Sequence, residues 1–406
     1  MVTVVNLVVD AVGVSTWEYL LDRTCGNLKF PNFAQLGLGN LLSPKFNHLV
    51  PRNEEAQFAH ALIQASAAAD SVIGHREMMG VIDDRDFPLF YDGFSADFVQ
   101  ALEEISGRGV MNIGMESGSA VPDAYGEKHE ESGDLILYAS TCDPLFQIAA
   151  NVDVVDDVEL ADIVDKMFSK AWGLGIEVTR GISRPYENKE GKRERLTSLR
   201  HDAVLPLRDF TLIDVLEGVR TVSVGKPYDL VKTDSWDERA RLVARWDHFC
   251  SAGRVVYPTD EGEVNPFMIN ALRRELGVIN SGDHFIFANL VDTDSKYGHN
   301  CDVSGALGSL HRVDQSIPHV IEAMRDGDIL IVSADHGMRH EDWEGPRGLQ
   351  RIGYHSIEPL PLLAMRKGGN REDLVLYSSD TLVSVGYMIA HTFGLEESFK
   401  STCNLK

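Results

Sequence analysis

The sequence predicts an α/β protein, a doubly wound core sheet with an inserted α+β cap. Three observations carry this. First, "TVVNLVVD" (Thr3–Asp10), "HFIFANLVDTD" (His284–Asp294) and "DILIVSADHG" (Asp328–Gly337) are apolar runs that end directly in acids or histidine. Near-continuous apolar strands mark a parallel sheet buried on both faces. Second, helical patterns separate these runs, as crossovers require. Third, the middle of the chain switches to shorter strands.

Taken in order, Thr3–Asp10 is the first strand and delivers Asp10 to its carboxyl end. "AADSVIGHREMMG" (Ala68–Gly80) predicts a short helix from Val72 to Met79. Ser71 is then either its N-cap or a nucleophile, and a helix N-terminus also suits an anion. Residues 91–206 form the cap, with strands in "GVMNIGM", "LILYAS" and "IEVTRGI" and a helix over Leu160–Gly173. The acidic stretch "NVDVVDDVELADIVD" reads as a solvated helix face, and "RPYENKEGKRERLTSLRHD" (Arg184–Asp202) as a basic loop. "FTLIDVLEG" and the strand "RTVSVGK" resume the core, so residues 1–90 and 207–406 make the core domain. Two late helices follow, Ser304–Gly327 and Ser379–Leu395, the second with Ser379 as N-cap.

Composition bounds the partners. The 406 residues are 44% hydrophobic and carry a net charge of -24. That excess of acid argues against nucleic acid and anionic membranes. An anionic substrate would need local cations, and metal ions are the obvious means. The five cysteines are scattered with no CxxC pair, which predicts free thiols in a reducing, cytoplasmic setting. "MVTVVNLVVDAVGV" has no basic flank and is interrupted by Asp10, so neither a signal peptide nor a membrane span is expected.

In open α/β sheets, ligands bind beyond the carboxyl ends of strands. Asp10, Asp294 and Asp335 therefore meet at one sheet edge. "DTDSKYGHN" adds His299, "SADHGMRH" adds His336, and "IGYHSIEPLPLLAM" places His355 just before another apolar strand. Mixed carboxylates and imidazoles suit divalent transition metals better than calcium. A hydroxyl beside such ions becomes a nucleophile near neutral pH, which gives Ser71 a second role. His75 reads as structural, and His311 and His340 as surface residues.

Together, Asp10, "DSVIGH", "DTDSKYGH", "ADHG" and His355 resemble the alkaline phosphatase superfamily. "FPNFAQLGLGNLL", "LILYASTCDPLFQIAA", "TRGISRP", "RHD" and "VSVGK" are similar to the phosphopentomutases within it, over most of the chain. The resemblance implies an alkaline-phosphatase-like core. One ion would be held by Asp10, Ser71, Asp335 and His336, and another by Asp294, His299 and His355. It implies two Mn2+, with Mg2+, Co2+ or Zn2+ as substitutes, and a sugar bisphosphate activator. Ser71 stands where the family phosphorylates a threonine. Asp143, Arg180, Ile182 and Lys226 fall where the family contacts a pentose phosphate, with Arg180 and Lys226 on the distal phosphate. The implied reaction moves a phosphoryl group between the 1- and 5-oxygens of ribose or deoxyribose.

The chain departs from that pattern at Ala69, Asn300, Cys301, Tyr354 and Ser356–Ile357–Glu358, and in a longer Met338–Gly353 segment. Basic residues are lost near the site. Arg76, Arg339, Arg347 and Arg351 are candidates to replace them. Alternatives to the mutase are a metal-dependent phosphomonoesterase, a mutase for a modified sugar phosphate, and a non-catalytic sugar-phosphate sensor.

Overall fold

The computed structural model describes residues 1–24, 28–118, 120–207, 209–231, 240–244, 249–251, 254–256, 263–345, 348–377 and 379–405. Arg347 and Cys25 lie outside them. Two strands come first, β1 (Thr3–Val9) and β2 (Phe58–Leu62). The middle holds β3 (Val110–Met115), β4 (Leu135–Ala139), β5 (Leu145–Asn151), β6 (Arg180–Lys189), β7 (Lys192–Arg195) and β8 (Asp202–Val204). Next come β9 (Val219–Val224), β10 (Ala240–Ala244), β11 (Phe249–Ser251), β12 (Arg254–Val256) and β13 (Asp283–Leu290). The last are β14 (Ile329–Ser333), β15 (Gly337–Gly345), β16 (Gly348–Ser356) and β17 (Leu360–Arg366).

The core sheet runs β12-β11-β10-β9-β13-β1-β14-β17-β2. Its centre, β10-β9-β13-β1-β14, is parallel, and β17 and β2 are antiparallel additions. All seven residues of β1 are buried, as its β-branched composition demands. Val5, Leu7 and Val9 pack on one face against helices Val14–Leu21, Asn265–Val278 and Val303–Ala323. Val4 and Val8 pack on the other against helices Ser71–Met78 and Val383–Thr392. Alternate side chains of a strand point to opposite faces, so one run of valines serves both layers.

A second sheet, β3-β4-β5-β6-β7 with β8 on β6, is built from residues 110–204. Helices Ala96–Ser106 and Asp157–Gly173 cover one face through Phe98, Leu102, Leu160 and Val164. The basic segment is not a loop. Lys189 pairs with Lys192 across a two-residue turn in which Glu190 and Gly191 both have positive φ, a geometry that joins adjacent antiparallel strands. Two capping expectations also fail. The last long helix starts at Val383 with no side-chain cap, while Ser379 bonds to Thr381. The helix after Asp70 starts at Ser71, and its cap is Asp70.

Candidate metal centre

The adjacent parallel strands β9, β13, β1 and β14 end at one edge, and each releases a charged group there. Val9 lies beside Leu290, Val8 beside Ser333, and Val224 beside Ala288. The next residues are Asp10 after β1, Asp294 after β13, Asp335 and His336 after β14, and Lys226 after β9. All five are buried. Beyond Asp10 the chain turns through Ala11 at φ 60, where its amide donates to Asp335 Oδ1 at 3.1 Å. Thr293 Oγ1 donates to the Asp10 carbonyl at 2.6 Å and ties the β1 and β13 loops together.

Ser71 joins from a helix on one face of the sheet. Asp70 Oδ1 accepts from the Val72 amide at 2.7 Å. The capping work is therefore done by Asp70, and the Ser71 hydroxyl is left to the site. Its Oγ lies 3.2 Å from His336 Nε2 and 3.4 Å from Lys226 Nζ. Gly74 permits this approach: a Cβ there would sit 2.2 Å from the Asp335 carbonyl oxygen.

The β15–β16 hairpin accounts for the long Met338–Gly353 segment, and it leaves from His336 and returns to His355. Gly337 pairs with Ser356 and Met338 with His355, so the two imidazoles stack 3.8 Å apart. His336 Nδ1 donates to the Gly337 carbonyl at 3.0 Å, which leaves Nε2 as the lone-pair nitrogen, 3.2 Å from Ser71 Oγ. His355 Nε2 and His299 Nε2 lie 3.1 and 3.0 Å from Asp294 Oδ1.

Among the described residues, three groups bring ligand atoms within 4.8 Å of one another: Asp10, Asp335 and His336; Asp294, His336 and His355; and Cys142, Asp143, His299 and His355. Asp10 Oδ1 and Asp335 Oδ2 are buried without a hydrogen-bond partner among them. Buried carboxylate oxygens need a donor or a cation, so this donor set fits divalent metal ions.

Burial, then the nearby Asp335, push the Asp10 carboxyl well above its usual range, and Lys226 only partly offsets them. Burial lowers His336, keeping it a neutral imidazole suited to a metal. Burial would also lower His299, but Cys142 and Asp294 outweigh it and raise it to about 10. Burial opposes the ionisation of Asp294, yet Lys226 and His299 hold it well below the carboxylate range.

The resemblance put Lys226 on a distal phosphate. In the structure its Nζ donates to Asp10 Oδ2 at 2.7 Å and Asp294 Oδ2 at 3.0 Å, between the acids. Arg180 and Asp143 do meet, with Nη2 at 2.7 Å from Asp143 Oδ1 and 3.3 Å from Asp70 Oδ2. Ile182 lies two residues further on the same face of β6.

Four features escaped the sequence reading. Cys142 Sγ lies against His299, where only a free thiol was expected. Asn289 Nδ2 donates to Asp10 Oδ2 at 2.8 Å. His75 Nδ1 lies 3.3 Å from Asp335 Oδ2, so its structural role is beside the site acid. The fourth is a cationic face on the second sheet. Arg184 follows Ile182 at the strand period and bonds Gln147 Oε1 at 2.7 Å. Burial, then Arg200, lower it to about 9. The alternation R-G-I-S-R was the available signal.

Among the described residues, Arg76, Arg339 and Arg351 do not enter the acid cluster. Arg76 is buried, bonding the Leu205 and Leu230 carbonyls. Arg351 reaches the Tyr19 hydroxyl and Arg339 is exposed. His340 is half-buried against Tyr19 at 3.1 Å, and His311 is likewise half-buried, so neither is a plain surface residue.

Residues 267–397 match the Metalloenzyme superfamily. That segment contains Asp294, His299, Asp335, His336 and His355. Solved structures similar to the chain include alkaline phosphatase from the Antarctic bacterium TAB5, at 13% identity and TM-score 0.39, covering 97% of this chain and 98% of that one. Another is phosphoglycerate mutase from Leishmania mexicana, at 11% identity and TM-score 0.46, covering 97% and 95%. A third is the PH0037 protein of Pyrococcus horikoshii, at 11% identity and TM-score 0.40, covering 99% and 96%. No described helix is long and apolar enough to cross a membrane.

Proposed function

We propose that this chain is a metal-dependent phosphoryl-transfer enzyme of the phosphopentomutase type, working through a phosphoserine at Ser71. One observation carries the reading: a buried serine hydroxyl, free of any capping duty, faces His336 and Lys226 beside two carboxylate–imidazole groups. The substrate class rests on the sequence resemblance.

Asp10, Asp335 and His336 would hold one ion beside Ser71, and Asp294, His299 and His355 the other. When bound, the ions lower the pKa of the serine hydroxyl and neutralise charge on the transferring phosphoryl group. The chain's own residues do the rest. Lys226 places a positive charge 3.4 Å from Ser71 Oγ, where a phosphate oxygen would arrive. Arg180 is fixed by Asp143 and Asp70, while its buried Nε has no hydrogen-bond partner among the described residues. It offers a donor to the sugar phosphate. Arg184, two residues beyond Ile182 on the same face of β6, offers a further cation for the distal phosphate. The second sheet then serves as a cap that keeps water from the phosphoserine while the sugar bisphosphate turns.

Phosphorus NMR of the purified, metal-loaded protein with ribose and deoxyribose 1- and 5-phosphates tests this. Interconversion of the 1- and 5-phosphate signals without inorganic phosphate is expected. Steady release of inorganic phosphate would make the protein a phosphomonoesterase. No change in any pentose phosphate would sink the substrate class.

A further inference from the structure

We propose that Cys142 is a metal ligand: the loop between β4 and β5 contributes a thiolate to a cation position formed with Asp143, His299 and the Nδ1 side of His355. This rests on the metal centre described above but not on the reaction assigned to it. Cys142 Sγ lies 3.2 Å from His299 Nδ1 and 3.3 Å from His299 Nε2. Cys142, Asp143, His299 and His355 bring one ligand atom each within 4.8 Å. His355 presents Nε2 to Asp294 and turns Nδ1 toward Asp143 at 3.5 Å. That Nδ1 is buried and has no partner in hydrogen-bonding geometry among the described residues.

A buried cysteine is usually a small apolar side chain. Cys142 is 3% exposed but belongs to none of the apolar clusters of the described residues. Its surroundings are polar instead. Besides the histidine, Ser140 Oγ lies at 3.8 Å and Thr141 Oγ1 at 3.5 Å.

The consequence is metal selectivity. Oxygen-rich sites suit magnesium and manganese, whereas a thiolate beside imidazoles favours zinc and cobalt. On ligation the thiol proton leaves to solvent, and one metal–sulfur bond forms with no change of oxidation state. The ion also joins the second sheet's loop to the core-sheet residues His299 and His355.

The test is spectroscopic and needs no turnover. Full-length protein is loaded with cobalt(II), and the near-ultraviolet sulfur-to-cobalt charge-transfer band is recorded. The band is expected in the wild type and in Cys301→Ser, and absent from Cys142→Ser at equal cobalt content. Competition between zinc and manganese should also shift in Cys142→Ser. Zinc preference should fall by at least about tenfold, the low end of what even an outer partner of a metal ligand is worth. If that variant fails to fold, X-ray absorption of the zinc-loaded wild type decides instead, with one sulfur expected at about 2.3 Å. Cobalt bound without the band, a band that survives Cys142→Ser, or a zinc shell of nitrogen and oxygen only would overturn the proposal. Loss of pentose phosphate turnover with the band intact would overturn the mutase and leave the ligand standing.

Discussion

His336 and His355 are nineteen positions apart in sequence, yet their rings stack with centroids 3.8 Å apart and planes inclined by 26°. The β15–β16 hairpin produces this: its register pairs Gly337 with Ser356 and Met338 with His355. An inserted arm thus has its two ends welded at the metal centre. Its length can vary without moving the ligands, because the base alone sets their spacing.

The hairpin base also touches the His299 loop, and the contact depends on a glycine. A Cβ on Gly353 would lie 2.2 Å from the Gly298 carbonyl oxygen, a backbone atom. Gly353→Ala should therefore push the His299 turn away from His355. The expected result is a tenfold or greater loss of affinity at one of two ions, on the scale of losing an outer partner of a ligand. Calorimetric titration with zinc reads it directly. Two unchanged sites would show that the turn yields without cost.

How much of this was legible beforehand depends on what each residue answers to. Asp10, Asp294 and Asp335 were readable because strand composition marks the carboxyl ends, and parallel strands share one edge. The same logic located His336. The surroundings of Lys226 were not legible, because a strand end says where a side chain starts, not which acids surround its tip. Cys142 was missed for a related reason: its partner His299 is 157 residues away, and no local pattern encodes that contact. The β6–β7 hairpin was hidden by charge, since its alternation is among polar residues and the usual apolar period is absent.

Lys226 supplies the next prediction. Its ammonium is paired with Asp10 and Asp294 in a buried setting. Removing one partner of a buried pair typically costs about 3–5 kcal/mol, because the remaining charge is uncompensated. Lys226→Met should lower the melting temperature most in chelator. Adding divalent metal should recover much of the loss, since the ions supply the missing charge. Thermal unfolding of both proteins with and without metal measures this, and an equal deficit in the two conditions would contradict it.

His340 makes the fold acid-sensitive. Burial, then Arg351, lower its pKa from 6.5 to about 4. The unfolded chain therefore binds this proton more readily than the folded one between those values. Stability from this group is present above pH 6.5 and is lost as pH falls toward 4. His340→Gln should flatten the melting-temperature slope in that window relative to the wild type. Identical slopes would show that the ring stays solvated.

The last prediction separates Asp70 from Ser71, which are neighbours with opposite tasks. Asp70 Oδ1 caps the helix through the Val72 amide, and its Oδ2 lies 3.3 Å from Arg180 Nη2. Asp70→Ala should cost roughly 1 kcal/mol through the lost cap. It should also loosen Arg180, raising KM for a sugar phosphate more than it lowers kcat. Ser71→Ala should do the reverse, keeping stability and metal content while abolishing turnover and phosphoenzyme. Ser71→Thr restores a hydroxyl at the first helical position and should restore phosphorylation. Intact-mass measurement after reaction with a sugar bisphosphate distinguishes the variants, since a phosphoryl group adds a fixed increment to one side chain. The increment mapping to a residue other than Ser71 would remove the serine from the mechanism, whatever its distance from His336.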